Sequence, residues 1–121
     1  KSTGCYNRNY FLKNNFNRPE NLPCAYIMGD CNYLKAINDR YGHETGDKYI
    51  LLVSDVLRLV ADKKGICIRW GGDEFLLIVP NCDEAACLQM LDEIEQEQKL
   101  KRQILPQIDV AVGYCIRTDM E

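Results

Sequence analysis

Two acidic segments combine residue types and positions that suit a metal ion and a phosphate-rich ligand. Asp30 follows a glycine at the end of the apolar segment CAYIM, and Asp73-Glu74 follows Gly71-Gly72 between two further apolar runs. Glycine at such positions lets a bulky ligand approach the backbone. If the first strand pairs with the hairpin, Asp30 and Asp73 converge on one edge of the sheet. Two carboxylates there can hold Mg²⁺ and leave coordination positions for substrate phosphates.

The segment after Asp30 adds donors for the same ligand. We expect a short helix to begin there, so that the free backbone N–H groups near Tyr33 and Leu34 face the acidic edge. Lys35 adds a positive charge nearby. Together these groups predict a seat for phosphate oxygens.

Each of these candidate site residues also fits a purely structural role. Gly-Gly-Asp-Glu between apolar runs is commonly just a hairpin turn, and Asp30 can cap the helix that follows it. Lys35 fits a solvated position on a helix. Asn38 and Asp47 also suit turn or capping roles, and His43 suits a structural hydrogen bond. Arg69, next to Trp70, suits a stack at the strand edge.

The hydrophobic pattern predicts a strand, two helices, a hairpin, a helix and a final strand. The strands are expected at residues 24–28, 66–70, 75–79 and 108–116, and the helices at 10–15, 33–40, 45–62 and 83–100. The last strand alternates apolar and other residues, which predicts one buried face. This order favours an α+β sandwich with helices packed on a largely antiparallel central sheet.

Composition narrows the functional classes. The 121 residues suffice for one domain, and 46% hydrophobic with 27% charged residues is ordinary globular usage. The net charge of −3 offers no general attraction for nucleic acid. Seven cysteines without CxxC spacing, and the lack of a signal-peptide pattern, favour a reduced cytosolic protein that uses thiols as small apolar groups. A disulfide scaffold, a zinc site and a membrane span are disfavoured.

The whole constellation resembles one family. Residues 69–75 read RWGGDEF, which resembles the signature of GGDEF-domain diguanylate cyclases. Residues 29–47 read GDCNYLKAINDRYGHETGD, which is similar to that family's D-x-[DN]-x-[FL]-K-x-[IV]-N-D-x-[FY]-G-H-x-x-G-D segment, and KSTGCYNR at residues 1–8 resembles its T-G-x-x-N-R start. The resemblance implies a nucleotide-cyclase fold, similar to a polymerase palm, with the GGDEF hairpin at the active site.

The resemblance also implies a reaction. Such domains condense two GTP molecules into cyclic di-GMP and release pyrophosphate, and two domains must face each other as a homodimer. It implies Mg²⁺, with Mn²⁺ as the alternative, held by Asp30, Asp73 and the main-chain carbonyl of Cys31. Asp73, or a water, would accept the proton of the attacking hydroxyl, with Glu74 as the other acidic candidate and Lys35 stabilising charge.

The substrate positions follow from the same resemblance. Asn38 and Asp47 match the positions that read guanine, and His43 lies in the same segment, so we expect strict use of GTP. The phosphates would be bound by Lys35 and by the backbone at Tyr33 and Leu34. Gly71 and Gly72 would let the substrate approach the backbone of the turn closely.

Two departures from the family pattern qualify these expectations. Residues 62–65 read DKKG where many members carry an Arg-x-x-Asp product-inhibition motif, so we expect no product feedback through that pair. The family's later A-D-x-A-[LM]-Y-x-A-K helix and G-[RK]-N turn have no counterpart in the 121 residues, which predicts an incomplete GGDEF domain from a longer signalling protein with a linked sensor or regulatory domain. A non-catalytic module that binds GTP or a cyclic dinucleotide is the alternative, and a purely structural dimerisation module explains none of these residues.

Overall fold

The centre of the sheet is the apolar strand that ends in the first acidic segment. The computed structural model describes residues 3–120, in which β2 (Cys24–Cys31) pairs antiparallel with β4 (Glu74–Val79) on one side and β5 (Val110–Arg117) on the other. β3 (Ile66–Arg69) pairs antiparallel with β4, and the short β1 (Tyr6–Asn7) pairs parallel with β3. The strand order is β1-β3-β4-β2-β5.

Four helices accompany this sheet. They are α1 (Arg8–Lys13), α2 (Leu34–Tyr41), α3 (His43–Ala61) and α4 (Glu84–Lys101), and a 3₁₀ turn spans Pro19–Asn21. The α+β class and the largely antiparallel sheet are therefore confirmed. Each predicted helix is present with its ends shifted by one or two residues.

The core lies mainly on one face of the sheet. Tyr49 and Leu57 of α3 and Ile94 of α4 are fully buried against alternate residues of β2 and β4, such as Ile27 and Leu77. These residues follow the helical and strand periods read from the sequence, because burial of one face of each element is what creates the pattern. On the other face, Phe11, Phe16 and Trp70 pack against Ile68 and Leu76.

Two predictions about strands were wrong. β1 was not expected, because a two-residue strand leaves no periodic signal and its pairing with β3 is long-range. In β5 only Val110 is buried, and residues 111–115 are all exposed rather than buried on one face. β5 lies at the edge of the sheet, and beyond Val110 its residue Ile116 is partly buried against the core.

Candidate functional site

The two acidic segments meet at neighbouring strands, as the sequence predicts. Asp30 is the penultimate residue of β2 and lies opposite Glu74 of β4. The ladder continues into the turn, where the Cys31 N–H donates to the main-chain carbonyl of Asp73 over 2.8 Å. Asp30 and Asp73 are exposed, and Cys31 between them is 2% exposed. The main chain of Asp73 thus takes part in the ladder, whereas its side chain is exposed to solvent.

The charges of the two aspartates act together on the buried thiol. Burial raises the pKa of Cys31 to about 12, and the negative charges of Asp73 and then Asp30 add to that effect. In the described part of the chain, the ion pairs join Arg18 to Glu20, Arg58 to Asp55 and Arg102 to Glu95, and neither aspartate belongs to one. The site thus concentrates negative charge without a protein cation paired to it.

The GGDE turn is held by an arginine for which the sequence suggested only a stack at the strand edge. The Arg69 guanidinium donates to the carbonyl of Gly72 over 2.7 Å and to that of Gly71 over 3.3 Å. The Trp70 N–H donates to the Glu74 carbonyl over 2.8 Å and closes the hairpin. The Glu74 carboxylate lies beside Gly71, where an added β-carbon would be 3.3 Å from Oε1. The GGDE segment is therefore a hairpin turn, as its structural interpretation predicted, and it also supports Asp73.

The start of α2 presents backbone donors. Tyr33 precedes the helix in the left-handed conformation, with φ of 65°, and no side chain caps this end. This contradicts the alternative that Asp30 caps the helix. Tyr33 is 70% exposed and Lys35 is exposed in the first turn, whereas Leu34 packs against the core. The first N–H groups of a helix lack partners within it, so this end suits an anion.

The guanine candidates lie on α2 and α3. Asn38 is half-buried on α2, and its amide oxygen sits over Gly46, where a β-carbon would collide with it. Asp47 follows on α3 and is exposed, and His43 is the exposed first residue of that helix. Gly42, rather than Asn38 or Asp47, precedes α3, so neither residue serves as its cap.

A small cavity connects α3 to the β3 strand. Asp47, Arg69 and Thr3 line a space of about 30 Å³ together with two apolar residues of α3. A larger cleft of about 560 Å³ runs along the turn between the N-terminal segment and Gly71-Gly72. Arg69 thus lines a cavity together with Asp47 and also binds the GGDE turn.

The segment after Asp30 is anchored by a group that no sequence motif indicated. The fully buried Tyr49 hydroxyl lies 2.9 Å from the Asn32 carbonyl and 2.6 Å from the Asp109 carbonyl, and it accepts from the Asp109 N–H over 3.1 Å. The Asn32 side-chain amide donates to the Asp109 carboxylate over 3.1 Å. Tyr49 looked like one more apolar residue of a helix face, and only its position under this loop shows its polar role.

Comparison with known proteins first defines the class. The chain superposes on diguanylate cyclase SiaD from Pseudomonas aeruginosa, solved with its activator SiaC, with a TM-score of 0.84 at 24% identity over 98% of this chain and 49% of that one. The GGDEF domain of DgcB from Caulobacter crescentus, solved with c-di-GMP, gives 0.71 at 30% identity over 81% of this chain and 60% of that one. The fold is thus the palm-like α+β fold of GGDEF domains.

The sequence comparisons then give the family. The family model described as "Diguanylate cyclase, GGDEF domain" matches residues 1–119. The probable diguanylate cyclase DgcC of Escherichia coli K12 is 31% identical over 92% of this chain and 32% of its own length, and DgcM of the same strain is 33% identical over 74% and 22%. The chain belongs to the GGDEF diguanylate cyclase family, and it spans about a third or less of these relatives.

One further property concerns the membrane. Among residues 3–120, no helix combines the length and the apolar character needed to cross a bilayer.

Proposed function

We propose that this chain is the catalytic domain of a diguanylate cyclase that converts two GTP molecules into cyclic di-GMP and two pyrophosphates. The observation that carries the proposal is the unpaired acidic edge, where Asp30 and Asp73 flank Cys31 on adjacent segments of β2 and the hairpin. A module that only binds nucleotide has no need to concentrate two uncompensated carboxylates beside a phosphate site.

The donor set fits a divalent cation. Within the described residues no group of three or more His, Cys, Asp or Glu side chains is arranged to hold a metal, so a two-carboxylate site must be completed by other oxygens. Mg²⁺ commonly binds through one or two carboxylates together with water and substrate phosphates, and Mn²⁺ accepts similar ligands. Asp30, Asp73 and the Cys31 carbonyl would hold the ion, which would neutralise charge on the triphosphate. The Cys31 thiol takes no part, since burial keeps it protonated.

The nucleotide would be oriented by residues from α2 and α3. The Asp47 carboxylate would accept hydrogen bonds from N1–H and the exocyclic amine of guanine, a donor pair that adenine lacks, with Asn38 and His43 beside it. The N–H groups of Tyr33 and Leu34 and the Lys35 ammonium would bind the terminal phosphates.

The reaction requires positioning more than covalent help from the protein. The ribose 3′-oxygen of one GTP forms a bond to the α-phosphorus of the other, the bond from that phosphorus to pyrophosphate breaks, and the hydroxyl proton passes to Asp73 or a water. A second, identical exchange closes the ring. Gly71 and Gly72 would let the phosphates approach the turn, and Glu74 would support its shape.

Each GTP would be held by one domain, so that catalysis needs a homodimer of facing half-sites. We further propose that residues 1–121 form a single GGDEF domain lacking its C-terminal part and belong to a longer signalling protein with a sensor or regulatory domain. The short span of this chain relative to its relatives supports this arrangement.

The test is turnover by the full-length protein. Incubation with GTP and Mg²⁺ should yield cyclic di-GMP and pyrophosphate, and Asp73→Asn should lower the rate at least about 100-fold, as loss of a key charged group commonly does. Asp92→Asn, an exposed aspartate of α4, is the matched control and should leave the rate unchanged. A folded dimer that binds GTP or cyclic di-GMP without releasing pyrophosphate would instead establish the regulatory binding module.

A further inference from the structure

Two cysteines that are far apart in the sequence, Cys5 and Cys67, lie in contact. The Sγ atoms of Cys5 and Cys67 are 3.1 Å apart, although 62 residues separate them along the chain. The parallel pairing of β1 with β3 places Tyr6 opposite Ile68, so Cys5 lies next to Cys67 by register. Because a disulfide bond is about 2.05 Å long, only a small further approach is needed to form one.

The two thiols differ in access. Cys67 is buried, with 5% of its surface exposed, whereas Cys5 is half-buried and lines the cleft of about 560 Å³ beside Gly71 and Gly72. A small solute that enters this cleft reaches Cys5, whose Sγ contacts that of Cys67. This is the arrangement of an attacking thiol and a resolving thiol.

We propose that Cys5 and Cys67 form a redox modification site, at which a hydroperoxide such as H₂O₂ converts the pair into an intramolecular disulfide. The Cys5 thiolate attacks one peroxide oxygen, the O–O bond breaks, and hydroxide leaves to become water. The Cys67 sulfur then displaces the hydroxyl of the Cys5 sulfenic acid as a second water. Two thiols and one H₂O₂ thus give one disulfide and two waters.

The surroundings of Cys5 favour the thiolate that this reaction needs. The Cys67 thiol can donate to the Cys5 sulfur, which lowers the pKa of Cys5 to about 7 against the opposing effect of burial. Thr3 and the positive charges of Arg58 and Arg69 act in the same direction. By contrast, burial raises the pKa of Cys31 and of Cys87, so these thiols stay protonated and unreactive.

The bond would tie the N-terminal segment to the strand that carries the turn. Cys67 lies two residues before Arg69, whose guanidinium binds the carbonyls of Gly71 and Gly72. The same N-terminal segment is already held on α3, where the Ser54 hydroxyl donates to the Thr3 carbonyl over 3.3 Å. Oxidation would therefore add a covalent link to a segment that several weaker contacts now fix. This inference does not depend on the proposed cyclase activity.

The test is peptide mapping of the oxidised protein. The reduced full-length protein is treated with a few equivalents of H₂O₂, alkylated and digested without reductant. We expect a dithiothreitol-sensitive peptide that joins Cys5 to Cys67, and a rise of several degrees in the melting temperature of this domain, since the bond closes a long loop. Cys5→Ser and Cys67→Ser should each abolish the linked peptide, whereas Cys115→Ser, which removes an exposed thiol, should leave its yield unchanged.

The pH dependence of alkylation provides the second readout. Iodoacetamide should modify Cys5 with a half-maximal rate near pH 7, and Cys67→Ser, which keeps a hydrogen-bond donor, should retain that midpoint while it forms no disulfide. A midpoint near that of an ordinary free thiol, oxidation of Cys5 to sulfinic acid without a link, or pairing of either cysteine with a different one would overturn the proposal.

Discussion

The amide oxygen of Asn38 occupies the space above the α-carbon of Gly46 that a side chain would need. The absence of a side chain at Gly46 thus lets the Asn38 side chain of α2 lie against α3, next to Asp47. A glycine inside a helix costs up to about 1 kcal/mol relative to alanine. The close approach of Asn38 accounts for its presence here.

Gly46→Ala should therefore weaken substrate binding without lowering the stability of the fold. The added methyl group displaces the Asn38 amide while it favours the helix, so we expect an unchanged or higher melting temperature and a KM for GTP raised about tenfold, equivalent to one lost hydrogen bond. Gly113→Ala in β5, where an added β-carbon meets no atom within 4 Å among the described residues, is the control and should change neither quantity. An unaltered KM in a folded Gly46→Ala protein would remove Asn38 from the guanine site.

Tyr49→Phe should loosen the loop after Asp30. Removal of the hydroxyl takes a buried partner from the Asn32 carbonyl and the Asp109 N–H, while the Asp109 carbonyl keeps the Asn32 N–H as a donor, so the free energy of unfolding should fall by about 1–3 kcal/mol. The Mg²⁺ concentration for half-maximal rate should also rise several-fold.

Denaturant unfolding measures the first effect and metal titration of the initial rate the second. The matched control is Tyr114→Phe, because that exposed hydroxyl bonds only Glu84, over 2.8 Å, and its loss should change the free energy of unfolding far less than loss of the Tyr49 hydroxyl does. Equal losses of unfolding free energy in the two variants would show that the buried hydrogen bonds of Tyr49 stabilise the fold no more than an exposed hydrogen bond does.

Cyclic di-GMP should not inhibit the enzyme through the site that many relatives of this family use. Asp62 and Gly65 stand at the positions of its Arg and Asp, and a β-carbon at Gly65 would collide with the Ile78 carbonyl, so this position has no room for a carboxylate side chain. Initial rates with added cyclic di-GMP should show only competition with GTP. Tight, non-competitive inhibition that Asp62→Ala abolishes would contradict this expectation.

Alkaline pH should destabilise the domain, because the fold holds buried thiols in their protonated form. Burial raises the pKa of Cys31 to about 12 and that of Cys87 to about 11, from an ordinary 9.0. The unfolded chain therefore releases these protons at lower pH than the folded one. The stabilisation they provide is complete below about pH 9 and declines as pH rises toward the folded values, by roughly 1 kcal/mol per pH unit for each thiol.

Urea unfolding at pH 8, 9, 10 and 11 under reducing conditions tests this slope. Cys87→Ala should lower the stability at all four values but make its decline with pH shallower. Cys115→Ala serves as the control because that thiol is exposed, and it should leave the slope as it is. A wild-type stability that stays constant up to pH 11 would contradict the assignment.

The predictions from sequence succeeded where a signal is local. The apolar periods of α3 and α4 located both helices, and the glycines between two apolar runs located the hairpin. Asp30 and Asp73 were expected at one edge of the sheet because each follows an apolar strand, and the β2–β4 register places them there. The family followed from the motifs and their spacing.

Tertiary structure decided what depends on contacts between distant residues. Pairing of β1 with β3 brings Cys5 to Cys67, and neither cysteine's neighbours in sequence indicate it. The Tyr49 hydroxyl and the Arg69 guanidinium received their roles from loops that fold over them. The sequence by itself determined the family, the elements and the acidic edge, because those depend on periodicity and residue type. The supports of that edge depend on which separate segments meet in space, which only the folded chain specifies.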